Sequence, residues 1–215
     1  MTTPQQIRRF VFVVLGLLLI DLIGREAFPS NQGTVHYVID AKQSKFFAHG
    51  LRGGLFWFKG HEHLIQVKEF AGEATITAGT ILPATLQVTA QAASLEETSA
   101  AFTEQQKQII NKELREIVLH PDQYPDITFQ STNVMAKNTA PGRYEVKIDG
   151  NLTLHGATKR ITIPAIVTIN GDTLRAVGEF SIDRDDFKVK ATSAFHGLVR
   201  VDDDVKFEFD IVGHK

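Results

Sequence analysis

The stretch GNLTLHGATKRITIP, residues Gly150–Pro164, contains the pattern that decides the fold. Apolar and polar residues alternate up to Leu154, the pattern stops at His155-Gly156, and alternation starts again at Ala157. Successive side chains of a strand point to opposite faces, so the pattern predicts two half-buried strands joined at His155-Gly156. Gly156 can adopt a positive φ angle, and we expect a hairpin loop of about three to five residues here.

The same period-2 alternation continues on both sides of this stretch, with one exception. Asn170-Gly171-Asp172 is a strong signal for a second tight hairpin. Between Phe102 and His120 the apolar residues instead recur about every 3.6 positions, which predicts an amphipathic helix. Thr103 and Gln106 resemble a capping box at its start, although Ser99 is an alternative start, and Pro121 ends it.

About eight to ten strands and one helix, connected in sequence order by tight turns, predict an all-β protein. A sandwich and a closed barrel both fit this order. Long strands joined by short hairpins favour an antiparallel up-and-down barrel of about eight strands, because closure removes exposed edges. A barrel of this size is just wide enough to hold one small ligand.

Composition limits the function classes. The chain has 215 residues, 43% of them apolar and 22% charged, which fits one domain with a sizeable core. A net charge of −2 argues against a nucleic-acid partner, which would require clustered Lys and Arg. The absence of cysteine excludes disulfides and thiol catalysis.

The N-terminal segment has the pattern of an export signal. Arg8-Arg9 precedes an uninterrupted apolar run from Phe10 to Ile20, and Asp21 interrupts the apolar character. We expect residues 1–33 to be a signal peptide with a linker, or an uncleaved membrane anchor with residues 10–23 in contact with the cytoplasmic membrane. The domain at 34–215 is then expected in the periplasm or otherwise outside the cytoplasm.

Three motifs, in order along the chain, carry a resemblance to a known family. They are Tyr124-Pro-Asp-Ile-Thr-Phe-Gln-Ser131, Gly150-Asn-Leu-Thr-Leu-His-Gly-Ala-Thr-Lys159 and Gly178-Glu-Phe-Ser-Ile-Asp-Arg-Asp-Asp-Phe187. Together they resemble the signature segments of the YceI-like family, with Lys188 where that family usually has glycine. The resemblance implies a lipocalin-like barrel, commonly exported and often homodimeric, whose apolar interior binds a polyisoprenoid, such as an isoprenoid quinone, or another amphiphilic lipid.

Lipid binding requires an apolar lining, and inward-facing strand residues are the candidates. Each buried CH₂ contributes ~0.8 kcal/mol, so about twenty enclosed units give on the order of 16 kcal/mol against roughly 4–15 for association. The alternative is that the same residues fill a closed core. The strand candidates are Phe46, Phe56, Phe58, Phe70, Leu86, Val88, Phe129, Leu152, Leu154, Phe180 and Phe195, and the helix is expected to cover the mouth through Phe102, Ile109 and Ile110.

A metal site is the alternative function. In His61-Glu62-His63 the two imidazoles are two residues apart, so on a strand they would share one face and could bind one ion, with zinc expected first. His49, His120 or His155 are candidates for a third ligand. Such a site would make the chain a metal-binding protein or a metal-dependent hydrolase, whereas the leading hypothesis is a lipid-binding protein with no catalytic cycle and no cofactor.

Overall fold

The computed structural model describes residues 33–53, 62–190, 193–194 and 199–215. The predicted export signal or anchor lies outside these residues. Within the described ranges, no helix has the length and apolar character needed to span a bilayer.

Strands make up most of the described chain, and all paired neighbours are antiparallel. In chain order, the strands are β1 Thr34–Ile39, β2 Lys45–Gly53, β3 His63–Val67, β4 Phe70–Thr77, β5 Ile81–Gln91, β6 Leu95–Glu97, β7 Asp126–Ala140, β8 Arg143–Leu154, β9 Ala157–Asn170, β10 Thr173–Asp183, β11 Ser193–Ala194 and β12 Val199–His214.

Eight of these strands close into a ring in the order β1-β4-β5-β7-β8-β9-β10-β12. The ring closes where β12 pairs with β1, through Val38 opposite His214 and Ile39 opposite Gly213. The Asp40 N–H also donates to the carbonyl of Val212 at 2.8 Å. The predicted antiparallel barrel of about eight strands is therefore confirmed.

A side branch of the sheet departs from the ring at β12. The first part of β12 pairs with β2, whose other edge carries β3 and then β6. Because β6 has no second strand neighbour among the described residues, one edge of this branch is open. The helix follows β6 in the chain and contacts it, and the Asn111 side-chain oxygen accepts a 2.7 Å hydrogen bond from the Glu97 N–H.

The helix, α1, spans Glu104–Glu113 and continues as a π-helical segment over Leu114–Leu119. Thr103 is its N-cap, and Thr103 and Gln106 form the capping box that their spacing predicts. The helix ends at His120, which has a left-handed backbone (φ 47°) immediately before Pro121. The structure thus confirms the predicted helix and places it at 104–119.

The turn in the opening stretch is tighter than predicted. Leu154 pairs directly with Ala157, so the loop between β8 and β9 contains only His155 and Gly156. Both have positive φ angles, 49° and 73°, as a two-residue turn that follows the strand twist requires. The predicted three-to-five-residue loop is wrong because the sequence rule did not assign a left-handed backbone to histidine, for which it is uncommon.

Glycines inside the barrel make room for aromatic rings from neighbouring strands. A Cβ added at Gly150 would lie 2.4 Å from the ring of Phe129, and one added at Gly178 would lie 2.6 Å from the ring of Phe209. These rings therefore lie against bare backbone on the adjacent strand. The pairing keeps two large apolar rings inside the barrel without overfilling it.

Candidate functional site

The barrel interior contains a cavity of about 310 Å³. All eight ring strands contribute to its wall, and nearly every contributing side chain is apolar. Ligand pockets in proteins commonly measure about 300–1,000 Å³, so the space is in the range that holds a small molecule or part of a lipid chain. The alternative of a completely filled core does not fit this volume.

Most of the predicted lining residues that fall within the described chain face this cavity. They come from strands of the ring and its side branch and from one position of the helix. The residues on the wall are Phe46, Phe70, Leu86, Val88, Ile110, Phe129, Leu152, Leu154 and Phe180.

Two predicted helix residues do not line the cavity. Ile109 is 61% exposed, because a helix turns about 100° per residue and its neighbour Ile110 takes the inward position. Phe102 precedes the helix and stacks on the His63 ring with centroids 5.1 Å apart. Phe56, Phe58 and Phe195 lie outside the described residues, so their assignment to the lining stays a prediction.

The structure adds wall residues that the sequence argument missed. Their signal was the same alternation along β1, β3, β8, β9, β10 and β12, and the same helical spacing over the two turns that follow Ile110. They include Tyr37, Ile65, Ile148, Ile163, Leu174, Phe207, Phe209 and Ile211 from the strands, and Leu114 and Val118 from the helix.

The two ends of the cavity differ in polarity. The far end, near the hairpin turns at Gly142 and Gly171, is lined by apolar residues such as Leu174 and Ile211. Among the described residues, the acidic, basic and imidazole side chains of the wall lie at the other end, where α1 leads into β7 and where β8, β10 and β2 end. These side chains belong to His63, Glu113, Arg184 and Lys190.

A buried carboxylate holds His63 in place. The Glu97 side chain has no exposed surface, and its Oε2 lies 2.7 Å from His63 Nδ1. Its Oε1 accepts hydrogen bonds from the N–H groups of Leu64 (3.1 Å) and Ser99 (2.7 Å). Burial raises the pKa of Glu97, but these hydrogen bonds outweigh burial and hold the pKa below its usual value of 4.5.

Arg184 stabilises the turn after β10 and has little capacity left for a ligand. Its guanidinium donates to Asp185 Oδ1 (3.0 Å), to the Val189 carbonyl (2.8 Å), to the Asp202 carbonyl (3.3 Å) and to Asp203. In contrast, the side chains of Glu113 and Lys190 form no hydrogen bond or ion pair with any described residue. Among the described residues of the wall, the acidic, basic and imidazole groups without a hydrogen-bond partner in the described chain are therefore those of Glu113 and Lys190 and Nε2 of His63.

The structure brings together no metal-ligand set within the described chain: no three His, Cys, Asp or Glu side chains are placed to hold an ion. His63 binds Glu97 through its Nδ1, and His61 lies outside the described residues. His49 Nε2 lies 3.3 Å from a Glu208 carboxylate oxygen without hydrogen-bond geometry, whereas His120 and His155 lie together elsewhere. The His61–His63 metal site stays a prediction that the described geometry does not support.

His155 does not line the cavity; it packs against the chain that follows the helix. Its ring centroid lies 4.4 Å from that of Tyr124 and 5.5 Å from that of His120. Burial and the nearby charge of His120 lower the pKa of His155 below 6.5, opposed weakly by the Phe187 backbone, and neither ring nitrogen has a partner of normal hydrogen-bond geometry. The histidine of the opening stretch thus turns the chain and holds the helix end against the barrel.

A closed eight-stranded antiparallel barrel around an apolar cavity, with one helix at its polar end, defines a lipocalin-like class of protein. The sequence profile of the YceI-like domain matches residues 37–213. This chain therefore belongs to the YceI-like family. No curated protein sequence matches the chain.

Several solved structures share this fold. BcnA from Burkholderia cenocepacia is 21% identical, with a TM-score of 0.61, over 81% of this chain and 98% of that one. A polyisoprenoid-binding domain from Saccharophagus degradans is 13% identical, with a TM-score of 0.57, over 83% and 97%. The YceI protein of Campylobacter jejuni is 18% identical, with a TM-score of 0.54, over 70% and 84%. At these identities the likeness shows a shared fold alone.

Proposed function

We propose that this chain binds the hydrocarbon chain of an amphiphilic lipid, a polyisoprenoid or isoprenoid quinone, inside its barrel, and that it carries or sequesters this lipid without chemical conversion. The observation that carries the proposal is the cavity, whose wall is apolar except at the end where α1 leads into β7, the polar end. A lipid with one polar head and one apolar chain matches this polarity. The likeness in fold to the polyisoprenoid-binding domain of Saccharophagus degradans supports the isoprenoid class.

The volume also fits this class of ligand. An apolar cavity of ~150 Å³ binds one benzene ring, and the present cavity is about twice that size. Each enclosed CH₂ contributes ~0.8 kcal/mol, so several isoprene units bind by burial alone without an ionic anchor.

The test is to fill the cavity from one wall. Ala74 lies on β4 and faces the cavity, whereas Ala71 lies on the same strand and is exposed. Ala74→Phe is expected to weaken binding of geranylgeraniol at least tenfold by calorimetry, and Ala71→Phe to leave it unchanged. Native mass spectrometry of protein purified from its own cells should show a lipid of long apolar chain at near-stoichiometric amount. Equal affinities for both variants, or protein that takes up no lipid, would contradict the proposal.

We also propose that the domain works outside the cytoplasm. The support is the basic start followed by the apolar run from Phe10 to Ile20. Cell fractionation with an antibody against the barrel tests this, and recovery in the cytoplasmic fraction would contradict it. Release from membranes by carbonate wash would distinguish a cleaved signal from an uncleaved anchor.

A further inference from the structure

The His63–Glu97 pair determines which polar atom the cavity wall offers to a ligand. A carboxylate with a lowered pKa can only accept hydrogen bonds, so the proton between the two residues must lie on His63 Nδ1. In a neutral imidazole, a protonated Nδ1 leaves Nε2 as an acceptor. His63 Nε2 forms no hydrogen bond with a described residue, and the ring lies on the cavity wall.

Among the side chains described at this end of the cavity, carboxylates outnumber cations. The ionised groups on the wall or bonded directly to it are the carboxylates of Glu97, Glu113, Asp185 and Asp203 and the cations of Arg184 and Lys190. Four carboxylates against two cations leave an excess of negative charge among the described residues. A diphosphate head would bring further negative charge into this site, whereas an uncharged head would not.

We propose that the polar end of the cavity is a head-group site selective for a lipid with a hydroxyl group, whose O–H donates to Nε2 of His63 in its neutral form and whose neighbours are Glu113 and Lys190. This inference rests on the proposed function and specifies its ligand class. Two kinds of isoprenoid lipid carry such a hydroxyl, a free isoprenoid alcohol and a hydroquinone, and affinity measurements with model compounds distinguish them.

The first experiment keeps the chain constant and changes the head. Calorimetric affinities are compared for geranylgeraniol, its methyl ether and its diphosphate. The alcohol is expected to bind about five- to tenfold more tightly than the ether, the size of one hydrogen bond, and the diphosphate more weakly than both. A parallel comparison measures the affinities for decylubiquinol and decylubiquinone. If the quinol binds more tightly than the quinone while the alcohol and its ether bind equally, the ligand is a hydroquinone.

The second experiment reverses the role of His63 without removing the ring. In Glu97→Gln the amide oxygen can keep the bonds from Leu64 and Ser99, and the NH₂ group then faces Nδ1. Nδ1 must accept, so the proton moves to Nε2, which becomes a donor. The preference for the alcohol over the ether is therefore expected to disappear in this variant.

A third variant tests whether the negative charge of the wall disfavours an anionic head, and it leaves the His63–Glu97 pair intact. Glu113→Gln removes one negative charge from the wall, and the Glu113 side chain forms no hydrogen bond or ion pair with a described residue that the change would break. Removal of one like charge is expected to raise affinity for the diphosphate about threefold or more. Glu116→Gln, on the exposed side of the same helical segment, is the control and should leave that affinity unchanged.

The outcomes separate this inference from the function on which it rests. If no lipid binds whatever its head, the proposed function fails. If alcohol, ether and diphosphate bind equally, and quinol and quinone bind equally, lipid binding holds but the hydroxyl site is refuted. An unchanged alcohol preference in a folded Glu97→Gln protein would also refute it.

Discussion

His63 on β3 and Glu97 on β6 form a pair in which one member is fully buried and the other faces the cavity. Their contact, 2.7 Å between Nδ1 and Oε2, joins two strands of the side branch at the point where α1 contacts β6. The helix takes part in the same network, since the N–H of Glu97 donates to Asn111. The pair therefore connects the polar end of the cavity to α1.

Loss of this carboxylate should destabilise the fold. Glu97→Gln is expected to lower the free energy of unfolding by about 1–3 kcal/mol, because a buried charge-assisted network is replaced by neutral hydrogen bonds. Glu96→Gln, at the next residue and in a surface ion pair with Lys68, should change it by no more than about 0.5 kcal/mol. Urea denaturation at pH 7 measures both.

The pH dependence of the same variant has a defined sign. Because the pKa of Glu97 is lowered in the folded protein, its contribution is present above the unfolded pKa and is lost as pH falls through the folded value. The difference in the free energy of unfolding between wild type and Glu97→Gln should therefore become smaller at acid pH. A difference in the free energy of unfolding that stays constant or grows at acid pH would contradict the assignment of Glu97 as an ionised partner.

The stability of the fold should be equally sensitive to an added methyl group at Gly150, where a neighbouring ring lies against bare backbone. Gly150→Ala is expected to cost about 1–3 kcal/mol, since the new Cβ would lie 2.5 Å from the Gln130 carbonyl oxygen as well as against the Phe129 ring. Gly33→Ala is the control, because nothing lies within 4 Å of its added Cβ. Thermal melts of the two variants decide, and equal midpoints would show that the interior can absorb the extra methyl group.

The arrangement of strands was predictable from the sequence because alternation needs no tertiary information. Leu152, Leu154 and Phe129 follow from period 2 alone, and the helix follows from its own period and capping box. The cavity was not predictable, because whether inward residues fill a barrel depends on how the ring closes. The polar end was missed for the same reason: His63 and Glu97 are 34 positions apart, and only the β3–β6 pairing brings them together.

The guanidinium of Arg184 should not be replaceable by an amine. Its side chain is 11% exposed and reaches two carboxylates and two carbonyls, a geometry that a single ammonium group cannot reproduce. Arg184→Lys is expected to cost about 1–3 kcal/mol of stability. Arg175→Lys, in an exposed pair with Asp210, is the control and should cost clearly less. Coincident denaturation midpoints of the two variants would contradict this role of Arg184.

Lys188 has a left-handed backbone with a φ angle of 57°. A residue with a Cβ incurs a conformational penalty in this region that glycine avoids. Lys188→Gly is expected to raise stability by roughly 0.5–1 kcal/mol despite the greater freedom of the unfolded chain. Lys42→Gly, at an exposed turn residue without a positive φ, should lower stability or leave it unchanged. A destabilised Lys188→Gly protein, measured by urea denaturation, would show that this side chain contributes contacts that outweigh the backbone strain.

His155 packs against the chain that follows α1, and the pH dependence of the free energy of unfolding should depend on it. Because the folded pKa of this histidine is depressed below 6.5 by burial and by His120, the fold loses stability as pH falls through the unfolded value and continues to lose it down to the folded value. His155→Asn keeps a side chain that tolerates a positive φ and cannot ionise, so the variant should lose less stability than wild type between about pH 7 and pH 5. His36→Asn, at an exposed position on β1 that is hydrogen-bonded to Thr75, is the matched histidine-to-asparagine control. NMR titration of the imidazole signals gives the pKa directly, and a His155 value at or above 6.5 would contradict its burial against Tyr124.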